Sequence, residues 1–333
     1  MKRPPKDTKI VTIGGGTGSF TVLSGLKKRK SVDLTAIIAM SDDGGSTGRL
    51  RTQLGILPPG DVRQALVAMA KSDRLLLDLF NYRFMDGSLS GHSFGNLLLA
   101  ALEKITGDGN KAIEKAGEIL AICGDVIPVT TDRVYLFGDL VGGGTIAGEH
   151  NIQNYAYGQG GDRLKKVYLN YQAKANPKAI KAIAEADMVV IGPGSVYTSI
   201  IPNFLVAGIT NALKRTKAKR ILVANLMAEP GLTENYQVTD FLSKIEEYLG
   251  QNIIETVIYN TQRPSARSLS KYVLERKSLV LPDKQNFLDR SCHFIGARLL
   301  DNKSYKQKPG DQLSRSLIRH NSDALAKVIC RLA

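Results

Sequence analysis

Tryptophan is absent from the 333-residue chain, cysteine occurs three times and histidine four times. Cys123, Cys292 and Cys330 are an odd number with no paired metal-ligand spacing, which excludes a disulfide framework and a zinc-finger-type site. No apolar run reaches the roughly eighteen residues needed to span a bilayer. Met1 to Lys6 leads straight into a short strand with no signal-peptide core, so a soluble, cytoplasmic protein without membrane insertion is expected. The Gly-Lys-Ser/Thr of a P-loop occurs nowhere, and there is neither a repeat of fixed period nor a low-complexity tract.

The chain has 43% hydrophobic residues, an ordinary share for a globular core. Its net charge of +14 is concentrated at one end, with 15 Lys and Arg against 6 Asp and Glu from Asn260 onward. Without Trp, zinc-finger spacing or an aromatic-rich basic repeat, this excess argues for a solvated basic face or a phosphate-bearing ligand rather than sequence-specific nucleic-acid binding.

Alternating strand and helix patterns over nearly the whole length predict an α/β fold: a doubly wound, Rossmann-like, mostly parallel sheet. The chain reads as one domain, 1–333, with a helical insertion at about 61–123, a β-hairpin excursion after Val126 and a basic C-terminal segment at about 260–333. Lys9 to Ile13 reads as a buried strand, and Gly14-Gly15-Gly16-Thr17-Gly18 follows it before a helical pattern at Phe20, Leu23 and Leu26. Glycine-exposed amides at a helix N-terminus make a natural phosphate seat. The dinucleotide fingerprint fails by one residue, because its third glycine falls on Ser19.

A second loop follows the strand Val32 to Met40: Ser41-Asp42-Asp43-Gly44-Gly45-Ser46-Thr47-Gly48-Arg49-Leu50. Asp42 and Asp43 offer oxygens to a hard divalent cation such as magnesium, and stand as candidate catalytic as well as metal residues. Gly44, Gly45 and Ser46 present amides and a hydroxyl, and Arg49 a planar cation suited to phosphate. A plain Asp-Gly turn is the competing reading. Leu57-Pro58-Pro59-Gly60-Asp61 reads as a stiff connector with Asp61 as a helix N-cap. In Gly91-His92-Ser93-Phe94-Gly95-Asn96, His92 and Asn96 suit an anionic ligand, or His92 is a cap or packing group. Gly192-Pro193-Gly194-Ser195, with Thr198 and Ser199 beyond it, is a third anion-binding loop or a simple strand-to-helix turn. Asn225 ends a later strand, and Ser291 to Lys308 reads as irregular and basic. Loops that follow parallel strands face one crevice, so the three glycine loops are expected to converge.

Taken in order, these motifs resemble the gluconeogenesis-factor family (YvcK-like), related to the 2-phospho-lactate transferases (CofD) of deazaflavin-cofactor biosynthesis. The resemblance covers almost the full chain and includes Arg63, Gly148-Glu149 with Ile152, and Tyr197-Thr198-Ser199-Ile200. The transferase branch implies a magnesium ion, a nucleotide-activated donor near Gly14 to Gly18, and an acceptor held by Asp42 and Asp43. The gluconeogenesis-factor branch is the more similar, because Gly-Gly-Ser-Thr-Gly-Arg follows Asp43. It implies a nucleotide-sugar ligand of the UDP-sugar type, regulation of gluconeogenic growth and cell shape, and a homodimer. Tyr272 and Arg319 match positions marked in that family's C-terminal part. Leu232, Phe241 and Ser291 to Lys308 depart from its pattern. An NAD-dependent oxidoreductase stands third, since Ser19 breaks the fingerprint.

Overall fold

A strand buried on both faces reads as a continuous apolar run, and Met188–Ile191, with all four residues buried, is one. Such strands require helices on both sides of a parallel sheet, which the rest of the chain supplies. The computed structural model describes residues 7–157, 163–274, 277–301 and 318–333.

In chain order, β1 (Thr8–Gly14) leads into α1 (Gly16–Leu26), and β2 (Val32–Ile38) into α2 (Gly45–Leu54). The helices α3 (Pro59–Met69), α4 (Arg74–Asn81), α5 (Phe94–Thr106) and α6 (Gly109–Ile119) precede β3 (Asp125–Pro128). Next come β4 (Leu136–Leu140), β5 (Thr145–Ala147), α7 (Glu149–Tyr157), β6 (Leu164–Leu169), α8 (Pro177–Glu185) and β7 (Met188–Ile191). A π-helical turn, Val196–Ile200, runs into α9 (Ile201–Phe204), followed by α10 (Ile209–Arg215), β8 (Lys219–Val223) and β9 (Met227–Ala228). The chain ends with α11 (Val238–Leu249), β10 (Thr256–Asn260), α12 (Ala266–Leu274), β11 (Ser278–Leu279), β12 (His293–Ala297) and α13 (Ser322–Cys330).

Seven strands form one parallel sheet in the order β12-β10-β8-β7-β1-β2-β3. From the β3 edge, the first six have the order of a dinucleotide-binding Rossmann sheet, and β12 adds a seventh. The winding reverses between β1 and β7, so a crevice opens outside their carboxyl ends. One apolar cluster runs through the sheet, from Ile10 and Ile37 through Val190 and Leu222 to Ile258, and out to the helix residues Leu23, Leu66 and Leu325.

Three local readings differ from the structure. The excursion is a three-stranded antiparallel sheet, β5-β4-β6, rather than a lone hairpin, and β3 belongs to the main sheet. Within the basic stretch Ser291 to Lys308, residues His293–Ala297 form the edge strand β12, while 302–308 lie outside the described residues. Only three of those five strand residues are even partly buried, so an edge position erased the apolar alternation that marks a strand. Pro58, not Asp61, is the N-cap of α3, which places Asp61 inside the first helical turn.

The loops after β1 and β7 touch. A Cβ on Gly18 would lie 1.9 Å from the Pro193 carbonyl oxygen, a backbone atom that cannot swing aside. Gly18→Ala should therefore destabilise the protein by about 1–3 kcal/mol, the range for overpacking a tight contact, as read by denaturant melts. Wild-type stability in this variant would show that the two loops are not held together.

Candidate functional site

Helix starts separate into two kinds. Side chains cap α4, α5, α6, α8 and α13, namely Asp73, Ser93, Asp108, Asn176 and Asn321. The helices that open at the first two glycine loops, α1 and α2, begin at Gly15 and Gly44 and have no such cap. Gly16 and Gly45 stand at φ of +60° and +46°, a left-handed conformation that glycine reaches without Cβ strain. The first amides of both helices are thus without a side-chain cap of their own.

The first loop already faces a carboxylate. Asp61 accepts a hydrogen bond from the Gly16 amide, and a Cβ on Gly15 would come within 2.4 Å of its Oδ2. Gly60 fills the matching role on the other side, since a Cβ there would meet Asp42 Oδ2 at 2.4 Å and Thr47 Oγ1 at 2.5 Å. Asp42 Oδ1 accepts from the Gly44 amide at 3.0 Å, and Asp43 Oδ1 from the His150 amide at 2.8 Å. The acidic loop is shorter than the sequence suggested, because Ser46, Thr47, Gly48 and Arg49 already belong to α2.

Ser46 turns inward. Its Oγ lies 3.0 Å from His92 Nδ1 and accepts from Asn96 Nδ2 at 3.2 Å, while Asn96 Oδ1 accepts from Arg63 Nε at 3.0 Å. Burial first, then the Arg49 and Arg83 charges, hold the His92 pKa below its usual value, which favours a neutral ring hydrogen-bonded to Ser46. His92 is buried, and Ser93 rather than His92 is the cap of α5. Arg49 is exposed and donates to the Ser90 carbonyl at 2.9 Å.

The third loop is pinned from the neighbouring strand end. Asn225 accepts from the Gly194 amide at 3.1 Å and donates to its carbonyl at 2.8 Å. Gly192 lies at the carboxyl end of β7 with φ of +70°. Ser199 approaches Gly15 and Gly16, so the loops after β1 and β7 share a wall.

Between these loops lies a cavity of about 600 Å³, within the range of small-molecule sites. Of the expected residues, Thr17, Gly18, Gly194, Ser195, Asn225 and Tyr272 line it, as does Arg319, which pairs with Asp301 at 3.3 Å. Asp42, Asp43, Gly44, Gly45, Ser46, Arg49, His92 and Asn96 are not among its lining residues, nor are Gly14, Gly15, Gly16, Gly192, Thr198 and Ser199. Asp42 and Asp43 belong instead, with Asp61 and Glu149, to an acidic chamber beside it. Two glutamines mark the boundary: Gln64 lines the cavity and reaches Asp61 Oδ1 at 3.5 Å, while Gln153 lines it and bonds Glu149 and, at 2.9 Å, Thr198 Oγ1.

Four carboxylates, Asp42, Asp43, Asp61 and Glu149, act on one another in this chamber. Burial, then the Asp42 charge, raises Asp61 to about 7, although part of the residue's surface stays accessible. Burial, followed by Asp42 and Asp61, pushes Glu149 well above the carboxylate range. Asp42 is also raised, chiefly by burial, against the pull of Gly44 and Thr47 hydrogen bonds. No three His, Cys, Asp or Glu side chains among the described residues are grouped so as to hold a metal ion.

Sequence reasoning assigns no site role to Asp61, Glu149, Glu229 or His320. Asp61 was taken for a cap, yet the Pro-Pro-Gly before it gives a rigid approach to Asp42. Gly148-Glu149 enters the sequence reading as part of the family resemblance, and Glu149 is the first residue of α7. His320 lines the cavity, and burial draws its pKa down to about 4.

Known proteins resemble the chain over most of its length. A family model described as 2-phospho-L-lactate transferase CofD matches residues 10–300. The chain is 41% identical to the gluconeogenesis factor of Bacillus subtilis, over 97% of this chain and 98% of that protein. It is 40% identical to that of Halalkalibacterium halodurans, over 84% and 85%. The crystal structure of protein BH3568 from Bacillus halodurans, described as a member of the UPF0052 family, superposes with a TM-score of 0.90 at 35% identity, covering 98% of this chain and all of that one.

A carboxyl whose folded-state pKa is raised stabilises the protein fully below its unfolded pKa, and that contribution is lost as pH climbs to the folded value. For Asp61 the window runs from about pH 4 to about 7. Without divalent cations, the melting temperature of the wild type should fall by a few degrees from pH 5 to pH 8. In Asp61→Asn the fall should be smaller, leaving that variant the more stable at pH 8. An equal or steeper fall in the variant would remove Asp61 as a source of strain.

Proposed function

The chain belongs to the CofD family, with gluconeogenesis factors as its near-full-length relatives, and from this we propose that it is a cytoplasmic nucleotide-sugar-binding protein that regulates gluconeogenic carbon metabolism and cell-envelope growth. The observation that carries the proposal is the cavity of about 600 Å³ where the sheet reverses, bounded by two glycine loops. In an open α/β sheet this is where ligands bind. Thr17 and Gly18 of the α1 N-terminus and Ser195 of the third loop offer amides to a diphosphate, and Phe20, Leu226 and Tyr272 supply an apolar wall for a base. Tyr272 is fixed because its hydroxyl accepts from the Ile318 amide at 3.0 Å. Arg319, held by Asp301, adds positive charge at the same wall.

A second reading, transfer of a phospho-lactyl-type group from a nucleotide-activated donor, is favoured by the acidic chamber. Its donors are all oxygen, which suits magnesium, and mutual repulsion gives Asp42, Asp61 and Glu149 reason to accept a cation. Asp42 and Asp43 would hold the ion, with ligand phosphates and water completing its shell, as is usual for magnesium. Magnesium there would neutralise charge on phosphate oxygens. Gln64 and Gln153, at the boundary, would orient the part of the ligand that reaches the carboxylates.

Calorimetry with UDP-sugars, GDP and NAD, with and without magnesium, separates the readings. UDP-sugar binding is expected, and binding of NAD alone would overturn both. Asp43→Asn should weaken magnesium-dependent binding by about tenfold or more while barely moving the melting temperature, because the amide oxygen can still accept from His150. Unchanged affinity in Asp43→Asn with a clearly lowered melting temperature would return the acidic pair to a structural turn.

A further inference from the structure

Glu229 follows β9 and lines the cavity with only one of its carboxylate oxygens engaged. Oε2 accepts from Ser195 Oγ at 2.8 Å, and the Glu229 backbone amide donates to Thr233 Oγ1 at 2.9 Å, which fixes the residue from both ends. Among the described residues no hydrogen-bond donor reaches Oε1, and this atom is not sealed away as the buried unpartnered polar atoms are. Nearby polar groups are less free. Asn225 uses both atoms of its amide on Gly194, and the Ser195 hydroxyl proton is given to Glu229 itself. Burial raises the carboxyl's pKa, while Ser195 and the Lys277 charge pull it back.

An acceptor-only group in a cavity repels phosphate and rewards an O–H or N–H. Phosphate therefore belongs at the loop amides, and an uncharged, donor-bearing part of the ligand at this end. We infer that Glu229 is a specificity-determining residue whose Oε1 accepts a hydrogen bond from a sugar hydroxyl or a base N–H of the bound nucleotide. The inference rests on the nucleotide-binding reading above. It makes Ser195 a positioning residue that holds the carboxylate in place, and it links the phosphate loop to recognition of the ligand's neutral end.

Glu229→Gln keeps an oxygen for Ser195 and presents an amide donor to the cavity, so donor would face donor. Calorimetry on the full chain with UDP-glucose, UDP and inorganic pyrophosphate tests this. UDP-glucose affinity should fall about 10- to 100-fold, as for loss of a charge-assisted hydrogen bond, with pyrophosphate binding unchanged. Loss confined to UDP-glucose assigns the donor to the sugar, and an equal loss with UDP assigns it to the nucleoside. Either supports the inference. Affinities within twofold of wild type for both nucleotides overturn it, as does a parallel loss of pyrophosphate binding, which would make Glu229 a loop anchor. Failure of the wild type to bind any nucleotide instead overturns the nucleotide-binding reading and this inference with it. Should Glu229→Gln not fold, Glu229→Asp, of the same charge but one methylene shorter, should show the same split.

Discussion

The contact between Gly18 and the Pro193 carbonyl is the constraint on which the site depends. β1 and β7 are adjacent in the sheet but far apart in sequence, and their loops must turn in opposite directions to reach α1 and the π-helical turn. A side chain at residue 18 would hold those loops apart. With none there, the two backbones meet, Ser199 closes over Gly15 and Gly16, and the cavity forms immediately outside the contact. Glycine at this position serves the packing of one backbone on another within the chain as much as ligand approach.

A second constraint is electrostatic. Gly15 and Gly60 make room for Asp61 and Asp42, so the fold uses missing side chains to bring carboxylates together. Burial first, and then the neighbouring like charges, raise the carboxyls of Asp42, Asp61 and Glu149, and the amides of Gly16 and Gly44 offset only part of that for Asp61 and Asp42. The protein keeps this arrangement although a set of uncharged residues would relieve it. Charge held against its own repulsion is characteristic of sites that await a cation or a proton-bearing ligand. The adjoining cavity has a different character: amides and hydroxyls on the loops, an apolar wall at Tyr272, and a carboxylate at Glu229. Gln64 and Gln153 contact both compartments, so a ligand filling the cavity would be felt by the acidic cluster through two short side chains.

Local chemistry was legible wherever it was written in neighbouring residues. Strand, glycine run and helix at Lys9 to Leu26 gave a phosphate-type loop, and the same logic located residues 41–49 and 192–199. His92 is open in sequence between ligand contact and packing, and only the folded chain sets it against Ser46. Asp61 misled because Asp after Pro-Gly is a common cap, whereas Pro58 had already begun the helix. β12 misled because an edge strand with exposed His293 and Gly296 has no alternation to detect. Glu149 misled because the hairpin before it ends in Gly148, and a helix starting directly afterwards has no apolar run of its own to announce it.

The sequence alone determined the fold class, the three glycine loops and the carboxylate pair, because helix and strand periodicities and glycine's freedom act over a few residues. It also carried the family resemblance, which lies in the order of short motifs. Only the tertiary structure decided which residues share a compartment. It put Asp42 and Asp43 beside the cavity rather than on its wall, and brought Asp61 and Glu149 to them from α3 and α7. It also placed Glu229, Tyr272 and His320 around a space whose opposite side is formed some two hundred residues earlier in the chain. Such groupings follow from strand order and from where backbones touch, and neither is encoded in any local stretch of chain.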